Sequence, residues 1–251
     1  VNRPDAAPRA LFTAQYRVRF DETSPAGTVR GSALLGYAQD VAWRHSEALG
    51  FPRDWYLSRG LAWLVRAVEA RILAPIDTGE TVTLETRVAG YRKVLVRRQT
   101  RVTAPAGDLR AQIVIDWAMT DGRVPVRIPA AFERVPLDDP EPFVPIRVAL
   151  EPTPMGAVSV ALSPRHRELD PMNHVNNGVH LDWLDETVTA AGEMGEATVS
   201  AVPRTYRLEY VRPVGPGATL TASTWRSDPG WAYRLADAAG VDLLRGRLDP
   251  A

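Results

Sequence analysis

The segment Leu169-Asp-Pro-Met-Asn-His-Val-Asn-Asn177, followed by Gly178, gathers a carboxylate, an imidazole and three amides just ahead of a stretch with helical spacing. The first turn of a helix leaves several backbone N–H groups unpaired and carries positive potential. Such a terminus binds an anion or polarises a carbonyl oxygen, and it stabilises negative charge that develops there during a reaction. Beside it, Asp170 has the chemistry of a nucleophile or general base and His174 that of a proton partner. Asn173, Asn176, Asn177 and Gly178 are candidate binding groups. The same residue types also build ordinary structure. Asp and Asn cap helices and open turns, Asp-Pro is good loop chemistry, and a single His is often structural. Residue types alone leave both readings open.

The elements that must position this loop are legible from periodicity. Gly178 to about Ala191 places Val179, Trp183, Leu184 and Val188 on one face and predicts a helix ending near Gly192. Earlier in the chain, Leu34, Leu35, Ala38, Val41, Ala42 and His45 recur at helical spacing, with stop signals at Gly50 and Pro52. Strands are predicted around residues 12–20, from Ala62, over Thr81–Val88, Val94–Val102 and Gln112–Met119. Six prolines at 136, 140, 142, 145, 152 and 154 then break all regular structure. After them the plan repeats: a strand at Val158–Leu162, the loop, the helix, and strands at Tyr206–Val211, Thr219–Trp225, Tyr233–Ala236 and Val241–Arg247. A helix followed by a run of antiparallel strands is α+β architecture. The divisions are 1–135, a stiff crossing at 136–156, and 157–251.

The two halves align without gaps where it matters. Ser24-Pro-Ala-Gly-Thr-Val29 lies against Asp170-Pro-Met-Asn-His-Val175, and Tyr37-Ala-Gln-Asp40 against Trp183-Leu-Asp-Glu186. Pro75-Ile-Asp-Thr-Gly79 matches Pro213-Val-Gly-Pro-Gly217. A repeat of this length is a duplicated domain. Ser24 and Thr28 stand where the second half has Asp170 and His174, so one reactive loop is expected.

Composition narrows the field. Basic and acidic residues balance at 30 each, which gives no bulk attraction to nucleic acid or anionic membranes. There are no cysteines, which excludes disulfides, thiolate catalysis and Cys-zinc sites. No apolar run reaches the length of a membrane span, and Val1-Asn-Arg-Pro-Asp-Ala-Ala-Pro8 lacks a signal-peptide centre. A cytoplasmic protein is expected. His174 and His180 are six apart, the wrong spacing for one helix face, so no metal site is expected. No phosphate-binding Gly-rich loop is present, and no cofactor is called for. Tyr91 to Arg101 concentrates positive charge on a predicted hairpin. This is either a steering surface for an acidic partner or a sheet edge protected by charge.

The loop with its following Trp183 resembles the hot-dog thioesterase motif. Leu34-Leu-Gly-Tyr-Ala-Gln39-Asp-Val-Ala42, His45, Leu49-Gly-Phe51, Gly60-Leu-Ala-Trp63-Leu-Val-Arg66 and Asp116-Trp117 resemble the acyl-ACP thioesterase family of bacteria and plants, over roughly residues 12–245. That resemblance implies a double hot dog, with two long helices each wrapped by an antiparallel sheet. It implies hydrolysis of fatty acyl-ACP, with acyl carrier protein as partner, Asp170 and His174 as catalytic residues, and an acyl pocket in the first half walled by Trp63 and Leu64. Met172 stands where many members carry Asn, and Pro213 where plant members carry Glu. Glu209 lies four residues earlier, and the role does not pass to it. Acyl-CoA or polyketide thioesters are alternative substrates, and a non-catalytic binder of acyl thioesters is an alternative of another class. Because duplication supplies the pairing that single hot dogs obtain by dimerising, a monomer or homodimer is expected. Chain length depends on packing and is not set by these motifs.

Overall fold

A computed structural model describes residues 10–137 and 143–250. Elements follow in the order β1 (Leu11–Arg17), α1 (Gly31–Ala48), α2 (Arg53–Leu57), β2 (Ala62–Ile72), β3 (Thr81–Arg92), β4 (Leu95–Thr103) and β5 (Leu109–Thr120). The second half has β6 (Val158–Leu162), α3 (Val179–Thr189), α4 (Glu193–Ser200), β7 (Arg204–Tyr210), β8 (Leu220–Ser227), β9 (Gly230–Asp237) and β10 (Asp242–Pro250).

Both halves share one ten-stranded sheet among the described residues, ordered β1-β3-β4-β5-β2-β7-β10-β9-β8-β6. The order mirrors itself about the β2–β7 seam, as a duplicated fold joined edge to edge must. Along that seam Glu69, in the middle of β2, faces Arg207 of β7 in antiparallel register. Their side chains form an ion pair at 2.8 Å. Each half wraps its helix, the hot-dog arrangement, but the two wraps are a continuous sheet rather than separate ones. Joining them buries the strand edges that each half would otherwise expose. The core lies between the sheet and the helices. Leu34, Leu35, Ala38 and Val41 of α1 pack with Val82, Leu84, Ile113 and Ile115, and Leu181, Leu184 and Val188 of α3 pack with Leu208, Tyr233 and Leu244.

Two expectations need correction. The second helix ends at Thr189, and a further helix, α4, follows Gly192. Hydrophobic spacing could not reveal α4, because its buried residue is Gly195, where an added Cβ would overlap the Val188 carbonyl. The basic hairpin is not a sheet edge either, since β3 and β4 are interior strands. Two of its cations are engaged. Arg97 pairs with Asp116 at 2.7 and 2.9 Å, and Arg98 faces His45 Nδ1 at 3.0 Å, desolvated enough to push its pKa down to about 10. Arg92, Lys93 and Arg101 of the hairpin are exposed.

The proline-rich crossing has no helix or strand from residue 143 to 154, turns at Met155-Gly156, and straps the outer face of the sheet. Arg97 Nη2 donates to the Val144 carbonyl (2.8 Å), Ile146 N to Asp116 Oδ2 (2.9 Å), Val148 N to Glu209 Oε2 (3.1 Å), and Arg234 Nη1 to Thr153 Oγ1 (2.6 Å). The strap is fixed by sheet side chains. Part of the 136–156 division, residues 138–142, lies outside the described residues.

Candidate active site

The loop before α3 is a tight, internally bonded turn. Asp170 N donates to the His174 carbonyl (2.8 Å) and Asn173 N to the Asp170 carbonyl (2.9 Å). Asn173 takes a positive φ of 60°, a conformation Asn tolerates better than most residues. Asp170 Oδ1 accepts from the N–H groups of Met172 (2.8 Å) and His174 (3.2 Å). The turn chemistry of Asp170 is thus real, and it fixes the direction of the carboxylate. Asp170 and His174 are half-buried, while Met172, Asn173 and Asn176 are exposed.

The first half repeats this loop bond for bond. Ser24 N donates to the Thr28 carbonyl (2.8 Å) and Gly27 N to the Ser24 carbonyl (2.9 Å), with Gly27 at φ 78°. Val29 N is held by the Ile76 carbonyl just as Val175 N is held by the Val214 carbonyl, both at 2.8 Å. Even the preceding turns match, with Glu22 and Glu168 reaching back to the N–H groups of Arg19 and Arg165. The gapless alignment of the halves therefore holds in space. What differs is chemistry: the hydroxyls of Ser24 and Thr28 lie 3.2 Å apart in one copy, and a carboxylate and an imidazole occupy the other.

The start of α3 is built by contacts from both halves. Asn176 Oδ1 accepts from Gly178 N (2.9 Å). Gly178 is buried against the first half, where a Cβ would lie 3.1 Å from the Ser32 carbonyl oxygen. Asn177 Nδ2 donates to Gln39 Oε1 of α1 (3.0 Å), and the Asn177 carbonyl accepts from the Tyr210 hydroxyl (2.9 Å). Among the described residues, the backbone N–H groups of Asn177 and His180 have no partner. They are the orphan donors expected of a helix start. His180 itself is buried edge-on between Trp183 and Tyr210. Burial pushes its pKa down to about 3, so it is neutral at physiological pH.

The structure thus brings Asp170, Asn173, His174, Asn176, Asn177 and Gly178 into one loop and helix start. Trp63 and Leu64 lie elsewhere and apart. Trp63 joins the aromatic cluster at the far end of α1, 5.6 Å from Phe132. Leu64, the next residue on β2, projects to the opposite face. Glu209 anchors the strap on the outer face, while Tyr210 beside it faces α3. Pro213 does neighbour the loop, next to the Val214 carbonyl that holds Val175. A groove of about 590 Å³ lies under the strap among polar side chains such as Glu69, Arg71 and Gln99. It is on the far face of the sheet from this loop. Gln39 and Tyr210 were not singled out from sequence, although the repeat alignment does put Gln39 opposite Asp185.

Residues 9–132 match the family model described as the acyl-ACP thioesterase N-terminal domain. Over 95% of its length the chain is 22% identical to the chloroplastic acyl-[acyl-carrier-protein] hydrolase FATB2 of Cuphea viscosissima. The chain is thus similar to acyl-ACP thioesterases over nearly its whole length, and the family-model match covers its first half. The chain spans 62% of the length of that Cuphea relative. Among solved structures, it shares the fold of the 12:0-ACP thioesterase from Umbellularia californica, with a TM-score of 0.81, 21% identity, and coverage of 96% of this chain and 97% of that one. An acyl-ACP thioesterase from Bacteroides thetaiotaomicron gives a TM-score of 0.78 at 15% identity, with the same coverage. Among the described residues no helix is long and apolar enough to cross a membrane.

Proposed function

We propose that this protein is an acyl-ACP thioesterase, a thioester hydrolase that releases free fatty acid from acyl-ACP. The observation that carries the reading is the duplicated loop. The same backbone occurs twice, and ionisable side chains occur only in the copy ahead of α3. Two N–H bonds to Oδ1 leave Asp170 Oδ2 as the reactive oxygen. Asp170 takes a proton from water as the water attacks the thioester carbon, or attacks that carbon itself to give a mixed anhydride that water then hydrolyses to fatty acid and the free carboxylate. Negative charge on the carbonyl oxygen is stabilised by the orphan N–H groups at the start of α3. The C–S bond then breaks, and the sulfur leaves with a proton relayed through His174. The acyl chain runs beneath α1 towards the cluster of Trp63 and Phe132. The ten residues from Gln39 to Leu49 give it ~15 Å at 1.5 Å of helix rise each.

The test is a panel of acyl-ACPs of graded chain length with the Asp170→Asn variant as control. Asn keeps an oxygen acceptor for the Met172 and His174 amides, so the loop stays folded while the carboxylate is lost. Hydrolysis should fall by at least about 10²-fold, the usual worth of a general base. An unchanged rate sinks the role of Asp170. Comparing ACP and CoA carriers of one acyl chain separates acyl-ACP from acyl-CoA hydrolysis, with a salt-sensitive preference marking ACP. Pro213 beside the loop, where a polar side chain would assist, favours one rival reading, a binder of acyl thioesters. Stoichiometric binding without turnover across the panel would establish that instead.

A further inference from the structure

We propose that Gln39, contributed by the first half, is a positioning residue for the reaction at the start of α3. This rests on the hydrolytic reading above. The contact is specific: Asn177 Nδ2 donates to Gln39 Oε1 at 3.0 Å, across the junction of the two halves. Asn177 is held at its other end by the Tyr210 hydroxyl. Its own N–H is one of the orphan donors. Held through its side chain by α1 and through its backbone carbonyl by β7, the residue has the direction of its N–H fixed, which is what a preorganised oxyanion site requires.

The repeat supplies an internal control. Gln39 on α1 and Asp185 on α3 are equivalent positions, each facing the helix start of the other half. The equivalent of Asn177 is Gly31, which has no side chain to clamp. A Cβ there would sit 3.3 Å from the Tyr206 ring, and the Tyr206 hydroxyl occupies Asp185 at 2.9 Å. The amide-to-amide clamp therefore exists at one of two equivalent places, and it is the place that carries Asp170 and His174. Charge explains why the clamp is a neutral amide. A carboxylate at position 39 would still accept from Asn177, but it would set a negative charge beside an oxygen that becomes negative.

Two substitutions separate positioning from support of the fold. Gln39→Glu keeps the acceptor and the shape and adds a titratable charge. At pH 8 its kcat should fall by roughly ten- to a hundredfold, the scale of a misaimed or electrostatically opposed site. KM should stay within about twofold, because binding of the acyl chain is untouched. As pH is lowered towards 5 and the new carboxyl gains a proton, the ratio of variant to wild-type kcat should rise. Gln39→Leu removes the clamp and should lower kcat at every pH with the ratio flat. A structural role alone predicts that Gln39→Glu, which keeps the bond, behaves as wild type. Wild-type kcat in both variants, or a pH-independent ratio for Gln39→Glu, overturns the proposal. Should the wild-type protein hydrolyse no acyl-ACP, the hydrolytic reading fails by itself. The clamp is then judged by the side-chain amide resonance of Asn177 in ¹⁵N-labelled protein, which must move in Gln39→Leu; an unmoved resonance overturns it.

Discussion

Asp185 makes the stability of this fold depend on pH in a way that one substitution exposes. Its carboxyl oxygens lie 2.9 and 3.2 Å from the Tyr206 hydroxyl, which also accepts from Arg204 Nε at 2.9 Å. Burial dominates and pushes the pKa from 3.8 up to about 7, against the lowering by the Tyr206 bond and Arg204 and with the help of Asp182 and Glu186. Folding therefore takes up a proton at Asp185 between those values. Stability from this group is full below pH 3.8 and is lost at about 1.4 kcal/mol per pH unit up to pH 7. His180 works in the opposite direction. Its pKa falls from 6.5 to about 3 in the folded chain, so the unfolded chain binds the extra proton, and stability rises with pH over that window. Between pH 3.8 and 6.5 the two slopes cancel, and the wild-type protein shows neither.

Asp185→Asn removes one of the opposing terms. An Asn oxygen still accepts from Tyr206, so the packing is kept. The variant's stability should climb through the window that is level for wild type. The two curves should meet near pH 4 and diverge until pH 7. The full shift converts to about 4 kcal/mol. Asp185 retains some solvent-accessible surface, so screening brings the expected gap to about 2–4 kcal/mol in favour of the variant. Urea unfolding at half-unit steps from pH 4 to 8.5 measures it, since every other titrating group is common to both proteins. Parallel curves would show that Asp185 is already ionised in the folded chain and would refute the reasoning.

The strap and the helices give further tests. Glu209→Ala leaves Val148 N, Arg147 and the buried side of Arg66 without their acceptor; it should cost about 3–5 kcal/mol and expose residues 143–156 to protease, read by thermal melting and limited proteolysis. Gly36→Ala, on the open face of α1 with nothing near its Cβ, should stabilise by about 0.5–1 kcal/mol. Gly195→Ala should destabilise by about 1–3 kcal/mol because α4 must move away from Val188; melting temperatures shifted in the same direction for both glycine variants would contradict this contrast.

The fold was legible because its strands and main helices bury one face each. Thr81–Val88 alternates, Leu34 to His45 recurs at helical spacing, and both became elements close to the expected bounds. The duplication was legible because the turn residues that fix the loop, Gly27 and Asn173, both suit a positive φ. Less visible were contacts made by backbone or by residues far apart in the chain. The packing of α4 rests on a glycine. The sharing of one sheet depends on the register of β2 against β7. The fate of Arg97 and Glu209 depends on a strap whose sequence says only that it is extended. The Asn177–Gln39 clamp spans 138 residues, and only the alignment of Gln39 with Asp185 hinted that position 39 faces a helix start.

Why one site survives in a duplicated chain follows from what fills the two equivalent places. Each half presents a loop, a helix start and a side chain from the opposite helix. At α1 the start is Gly31, covered by the ring of Tyr206, and the opposing carboxyl of Asp185 is bound to that same tyrosine. The residue equivalent to Tyr206 in the first half is Val68, which precedes Glu69 on β2 as Tyr206 precedes Arg207 on β7. Valine carries neither the ring to cover Asn177 nor the hydroxyl to bind Gln39. One copy of the frame is therefore covered by the ring of Tyr206, whose hydroxyl is bound to Asp185 of the same half, and the other has no such ring over its helix start. On the proposed hydrolytic reading, Tyr206 packs against α1 at the place where no substrate has to approach.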